Sequence, residues 1–314
     1  MPLPRVKSIV ILIPILLMAS GAVCASAPLQ NQTAEAAAAP PGFKMPRLNT
    51  EPTEVEVIGG EISTDRRIVG ISYDDNAGVT RVCSGLWISR DFVLTAAHCT
   101  CNNSSGIYAV TNANEIEKDW RGAKFHRRLN DAFCVTRQPR NGDDLALLKL
   151  NAPLPSDTGF KTNCMYSLLG EIALGVTWIR NVTRRIQAAG YGFVGDGPIG
   201  TRRSASIGVN TLTCAEPAAQ AMGCWPLGEF ILGAGRTDGE IRDTCAGDSG
   251  GPAYVMNGER FIPVGIVSRG LPIAHPYPHA GVCGAGGIYT HIGRHNVIAW
   301  LKQAGVPSGT AICR

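Results

Sequence analysis

A histidine in Thr95–Cys99 (TAAHC), an aspartate in Asp143–Leu150 (DDLALLKL) and a serine in Asp243–Pro252 (DTCAGDSGGP) fit one reaction by type and by order along the chain. A serine hydroxyl is a poor nucleophile at neutral pH until a base takes its proton. The base in turn needs an acidic group to fix its tautomer and stabilise its charged form. Ser249, His98 and Asp144 fill those roles. Glycines around Ser249 let the backbone turn tightly and aim N–H groups at a developing oxyanion, each worth roughly 3–4 kcal/mol in the transition state. Gly247 and Ser249 are the expected donors. Singly the segments are weak, since a histidine between Ala97 and Cys99 is ordinarily a packed one, Asp144 a turn residue and GDSGG a loop. Together they point to nucleophilic acyl transfer. GDSGG also satisfies the G-x-S-x-G elbow, but there an acid and then a histidine must follow the serine. After Ser249 the only acid is Glu259.

Residues this far apart need a rigid scaffold. From about Val57 the chain reads as short runs rich in Val, Ile, Leu and aromatics, such as RIVGISY, GLWISRDFVLTA, FIPVGIVS and GIYTHI. Gly, Pro, Asn and Asp punctuate them, as in an all-β barrel or sandwich. One clear helix is expected, Asn296 to Gln303, with Gly305 and Pro307 just beyond it. No repeat of fixed period is seen. The composition, 45% hydrophobic against 17% charged in 314 residues, excludes a disordered chain, a coiled coil and a collagen-like repeat. A net charge of +4 is too small an excess to suggest a nucleic-acid partner.

Arg5 and Lys7, the apolar run Ser8–Ala19 and small residues through Ala27 follow the order of a secretory signal peptide, with cleavage expected after Ala25. A membrane anchor is the alternative, but the run contains Pro14 and falls short of the roughly 20 residues needed to span a bilayer. Residues 26–56, rich in Ala, Pro, Glu and Thr, read as a propeptide or linker before a domain at 57–314. Of eleven cysteines, ten remain once Cys24 leaves with the signal, an even number that in an exported chain implies disulfides. Zinc is the rival, but no CxxC pair exists and Cys99 with Cys101 chelates poorly.

With TAAHC, DDLALLKL and GDSGGP in this order, the chain resembles a chymotrypsin-family serine protease of the trypsin-like branch from about Val57 to Leu301. The resemblance implies an all-β fold of two packed six-stranded antiparallel β-barrels, about 57–164 and 165–314, with the triad between them and a C-terminal helix. It matches the base to His98, the acid to Asp144 (leaving Asp143 as an exposed neighbour) and the nucleophile to Ser249. It places Asp243 on the pocket floor, facing an Arg or Lys of the substrate. Ser268 is then expected to support Asp144, Gly270 to bond the substrate backbone and Gly287 to keep the pocket open. Arg269 departs from the family's usual Trp, and a guanidinium there would favour acidic or polar groups upstream of the cleaved bond. The long segment 271–282 lies at the pocket rim.

The resemblance further implies a zymogen. Val57-Ile58-Gly59-Gly60 is similar to the family's new N-terminus, whose ammonium would pair with Asp248. A rival start, Ile68, leaves too few residues before Cys83 for the first strand. Glu56 precedes Val57, so another protease is expected to activate the chain. Family precedent supports Cys83–Cys99, Cys245–Cys283 and Cys214–Cys224; for the other four we take Cys101–Cys134 and Cys164–Cys313. The arginine pairs at 66–67, 127–128, 184–185 and 202–203 read as solvated loops. His275 with His279 and His291 with His295 read as bland rather than metal-binding, and Asn102, Asn103 and Asn181 open glycosylation sequons.

The reading is a secreted, extracellular or periplasmic, monomeric endopeptidase. It cleaves proteins or peptides after Arg or Lys and needs no cofactor, metal, nucleic acid or, once the signal is gone, membrane. The alternatives are a non-catalytic homologue that binds a partner through the same cleft, and a protease restricted to one target.

Overall fold

A computed structural model describes residues 59–116, 118–136, 142–154, 185–192, 200–234, 236–237, 240–257, 260–272 and 283–307. The signal and propeptide segments, Val57, the barrel boundary near Cys164, the Cys164–Cys313 pair, Asn181, His275 and His279 lie outside the described residues.

After a two-residue strand β1 (Glu61–Ile62), six strands build the first barrel: β2 (Ile68–Asp74), β3 (Thr80–Trp87), β4 (Phe92–Thr95), β5 (Ile107–Thr111), β6 (Arg121–Arg128) and β7 (Ala146–Leu150). All are antiparallel in the order β2-β3-β4-β7-β6-β5, and the ring closes when Gly70–Ser72 pair with Ala109–Thr111. Closure leaves no unpaired edge. Ile68, Val69, Ile71, Leu86, Val93, Leu94, Val110 and Leu147 belong to the buried core formed inside and around this barrel, as their β-branched and leucine-rich runs require.

The second barrel joins β8 (Arg185–Gly190), β9 (Arg203–Thr211), β10 (Glu229–Leu232), β13 (Pro252–Asn257), β14 (Arg260–Gly270) and β15 (Gly287–His291). Here β13–β8 and β8–β9 pairings close the ring, and β1 is laid along β9. A small hairpin, β11 (Arg236–Thr237) with β12 (Glu240–Ile241), stands apart. The fold is therefore the two-barrel arrangement the sequence implies. Short helices α1 (Phe133–Thr136) and α2 (Pro217–Ala221) occupy loops, and α3 (His295–Gln303) begins one residue before its expected start. Although α3 follows the second barrel, its Val297, Ile298, Trp300 and Leu301 bury into the first barrel's core. Trp300 Nε1–H donates to Arg128 O at 3.0 Å and fixes that docking. Among the described residues no helix is long and apolar enough to cross a membrane.

Two expectations need correction. Asp143 is not exposed: it is buried and accepts from Asn130 Nδ2. Nor are the arginine pairs all solvated loops: Arg66 is exposed in the turn before β2 as expected and Arg184 lies outside the described residues, but the others differ. Arg127 and Arg128 lie in β6, Arg185 in β8 and Arg203 in β9. Arg67 stacks on Phe261 at 4.2 Å and pairs with Asp65. Arg202, 2% exposed, donates Nε to Ser63 O, Nη1 to Asn112 O and Nη2 to Asn114 Oδ1. A guanidinium's apolar stem and flat face suit such semi-buried places, which a tally of charges along the sequence does not reveal.

Candidate active site

His98 sits in a tight turn, Ala97–Thr100, directly after β4. Its neighbour Cys99 is bridged to Cys83 of β3, which ties the turn to the barrel wall. Asp144, 2% exposed, stands just before β7, the strand paired with β4. The β4–β7 ladder thus brings histidine and aspartate together. His98 N–H donates to Asp144 Oδ1 at 3.0 Å, and His98 Nδ1 lies 2.9 Å from Asp144 Oδ2. A carboxylate only accepts, so Nδ1 carries the proton and the Nε2 lone pair is left for a substrate or nucleophile. Burial pulls the His98 pKa down, but the charge and hydrogen bond of Asp144 outweigh it and the net shift is upward, with Arg269 opposing. Burial pushes Asp144 up, yet His98, Ser268 and the His98 N–H together hold it below its ordinary value.

Ser249 belongs to the second barrel's loop between Asp243 and β13, and the first barrel grips that loop. Ser84 of β3 donates N–H to Ser249 O at 2.8 Å and Oγ–H to Gly247 O at 2.8 Å. Gly247 (φ +95°) and Gly250 (φ +84°) occupy backbone that side chains rarely adopt, and a Cβ at Gly250 would collide with Ser84 O and Thr95 Oγ1. Among the described residues no acceptor pairs with the N–H of Gly247 or Ser249. His98, Asp144, Ser249, Ser268, Arg269 and Gly270 line one cleft of about 510 Å³.

Ser268 reaches this cleft by a bulge. In the β14–β15 ladder Val267 pairs with Tyr289 and Arg269 with Ile288, so Ser268 is the extra residue, and its Oγ–H donates to Asp144 Oδ2 at 2.6 Å. Gly270 pairs with Gly287. A Cβ at Gly287 would stand 3.2 Å from the Tyr289 ring and 3.3 Å from Thr244 Oγ1.

Asp243 lies deeper than the cleft lining. It is fully buried, its Oδ2 accepting N–H bonds from Gly284 (2.7 Å) and Gly286 (2.9 Å) and its Oδ1 one from Thr244 (2.8 Å). Asp248 is also fully buried. It accepts from Cys245 N–H and Gly192 N–H, each at 2.8 Å, and among the described residues it makes no ion pair. Burial raises its pKa to about 7, the two N–H bonds oppose, and the charge of Asp243 adds to the rise.

Four of the five expected cysteine pairs lie at disulfide distance: Cys83–Cys99, Cys101–Cys134, Cys214–Cys224 and Cys245–Cys283. Cys83, His98 and Cys99 cluster as metal ligands can, but both sulfurs are spent in their disulfide. His291 is buried in β15 with Nε2 on Leu212 O, apart from any pairing with His295.

Sequence reasoning missed two residues. Ser84 carries no local signal. Glu229 has a faint one, an acid heading the apolar run EFIL, and the structure shows why: it is fully buried and forms a two-pronged ion pair with Arg269. Four of the five guanidinium N–H donors are committed, to both Glu229 oxygens, Gly223 O and Ser268 Oγ. The expectation that Arg269 recruits acidic substrate groups is therefore corrected, because its charge is already matched internally.

Comparison with known proteins agrees with this geometry. The trypsin family model matches residues 57–283, and the chain belongs to that family of trypsin-like serine proteases. It is 28% identical over 238 residues to snake venom serine protease 5 of Trimeresurus stejnegeri, covering 74% of this chain and 81% of the relative. Serine protease VLSP-3 of Macrovipera lebetinus is 28% identical over 266 residues, covering 82% and 90%. Trypsin eta of Drosophila melanogaster is 25% identical over 199 residues, covering 63% and 71%.

Proposed function

We propose that the protein is a secreted serine endopeptidase that hydrolyses peptide bonds after Arg or Lys and is made as a zymogen. The carrying observation is the His98–Asp144–Ser268 hydrogen-bond set, which opens on the cleft that Ser249 lines. Ser249 Oγ attacks the scissile carbonyl while His98 Nε2 takes its proton, and the oxyanion is held by the N–H groups of Gly247 and Ser249. His98 then gives the proton to the leaving amine, and a water activated by the same nitrogen hydrolyses the acyl-enzyme. No metal or organic cofactor enters this scheme. Four disulfide-distance pairs and the venom relatives support an extracellular setting.

Asp243 supports the Arg/Lys preference, because its buried carboxylate stands at the position that the family resemblance assigns to the pocket floor. Asp248 supports activation: cleavage after Glu56 by another protease frees an ammonium at Val57, the charge that a buried, upshifted carboxyl lacks. The first barrel strand begins at Ile68 itself, so the expected shortage of residues before Cys83 is corrected; Ile68 still fits poorly as a start, because it is a buried wall residue of β2 and Trp87 N–H bonds Arg67 O beside it.

The test is hydrolysis of Arg-, Lys-, Phe- and Glu-ended peptide amides by the form starting at Val57, beside Ser249→Ala. Arg or Lys cleavage that disappears in the variant, by roughly a millionfold in turnover, is expected. Cleavage of only the Phe or Glu amides would overturn the role of Asp243, and activity surviving in Ser249→Ala would overturn the triad. N-terminal sequencing of the active form is expected to read Val57; Ile68 would refute that start.

A further inference from the structure

The second barrel adds an ion pair to the back of the triad where the family pattern has an uncharged Trp. Arg269 leaves β14 one residue after the Ser268 bulge, and Glu229 heads β10. The two face each other in parallel, Nη1 to Oε1 and Nη2 to Oε2, both at 2.8 Å. Glu229 is fully buried and its Oε2 also accepts Trp225 N–H at 2.8 Å; Arg269 Nη2 donates further to Gly223 O at 2.6 Å. A buried pair is worth keeping only when its remaining donors and lone pairs are met in this way. The geometry reaches the site through one more bond, Arg269 Nη1–H to Ser268 Oγ at 3.1 Å.

A guanidinium has donors and no acceptor. Ser268 Oγ must therefore accept from Arg269, and its own proton has one place to go, Asp144 Oδ2 at 2.6 Å. Without the guanidinium, the Ser268 oxygen loses the donor that fixes it from the other side, and its short bond to Asp144 is held less firmly in line. We propose that Arg269 and Glu229 are positioning residues for the triad: Glu229 holds the guanidinium, the guanidinium sets the Ser268 hydroxyl, and that hydroxyl anchors the Asp144 carboxylate that orients His98. The inference rests on the serine protease reading. The charged groups facing His98 are Asp144 from the segment before β7 and Arg269 from β14, with Glu229 of β10 behind the latter. Arg269 opposes protonation of His98 and keeps the base available at lower pH.

The variant that isolates this role is R269M/E229Q, which removes the donor to Ser268 and leaves no unpaired buried charge. In the form starting at Val57 it should lose about threefold in kcat on a short Arg amide with KM changed less than about twofold, a smaller loss than Ser268→Ala because the pair acts only through that hydroxyl. The acid limb of kcat/KM should move to higher pH, and R269K, which keeps charge and a donor, should recover part of kcat. Nuclear magnetic resonance titration of the His98 imidazole in an S249A background supplies a readout independent of turnover, with the pKa rising in the added R269M/E229Q changes. Unchanged kcat with an unchanged titration overturns the proposal. So does a change confined to KM, which would make the pair a subsite wall. A wild type that cleaves no short amide while the His98 titration still responds sinks the broad Arg/Lys reading and upholds the linkage. If the double variant does not fold, E229Q alone decides: the same but smaller losses support the linkage, and an unmoved pH profile overturns it.

Discussion

Asp144, in the cleft lining, and Asp248, next to Ser249 in sequence, are both buried carboxyls, yet their surroundings push them in opposite directions. Asp144 meets His98 through two bonds and Ser268 through a third, and its pKa is lowered in spite of burial. Asp248 has two backbone N–H donors and a second carboxyl, Asp243, nearby; its pKa climbs to about 7. Desolvation is common to the two, so the difference lies in opposite charge. Backbone dipoles alone do not balance a buried anion beside another anion, whereas an imidazole that becomes cationic does. The first site thus carries its countercharge as folded, whereas the second has none among the described residues, and the proposed processing would supply one.

The largest effect expected from probing this contrast is Asp144→Asn, about ten-thousandfold in kcat of the processed form, because the amide favours the wrong histidine tautomer. Circular dichroism should show the fold unchanged; a loss below tenfold would contradict the orienting role. Next comes Asp248→Asn in the processed form, with a loss of about a hundredfold or more as the oxyanion donors lose their fixed aim. In the unprocessed chain the same change should leave residual activity untouched, and equal losses in both forms would erase the distinction between the two carboxyls.

A smaller effect is thermal. The folded-state pKa of Asp248, about 7, lies above the ordinary 3.8, so the folded precursor holds this proton more tightly than the unfolded chain. That stability is present below about pH 4 and is lost as pH rises through about 7. The precursor's Tm should fall by about 5 °C or more across that window, while the form with a Val57 ammonium keeps its Tm. Parallel curves would remove the proposed pairing. The smallest effect is Ser268→Ala, about threefold to tenfold in kcat, since one of several bonds to Asp144 is lost; an unchanged kcat would show that His98 alone suffices.

Much of this was legible because the chemistry is written in contiguous motifs. TAAHC, DDLALLKL and GDSGGP each lie on one strand end or turn, and the two-barrel architecture followed from the family those motifs indicate. What escaped depends on partners far apart in sequence. Glu229 and Arg269 are separated by forty positions and meet only through the β10–β15–β14 ladders. The Ser268 bulge is a register shift with no residue signature, and the burial of Asp143 depends on Asn130. Of the sequons, Asn103 is buried with Nδ2 donated to Ile107 O, while Asn102 is exposed at the cleft wall. Local spacing cannot separate neighbours whose environments differ so sharply.

The placement of the arginines bears on how long such an enzyme lasts. A protease that cuts after arginine is its own most concentrated substrate, and cleavage requires several residues of extended chain to be pulled into a foreign active site. The bonds following Arg127, Arg128 and Arg203 are held in barrel ladders, the Arg67 carbonyl is bonded to Trp87, and Arg202 is sealed inside. Self-digestion at these points requires a barrel to open first, which leaves Arg66, exposed in the turn before β2, as the more open point of attack.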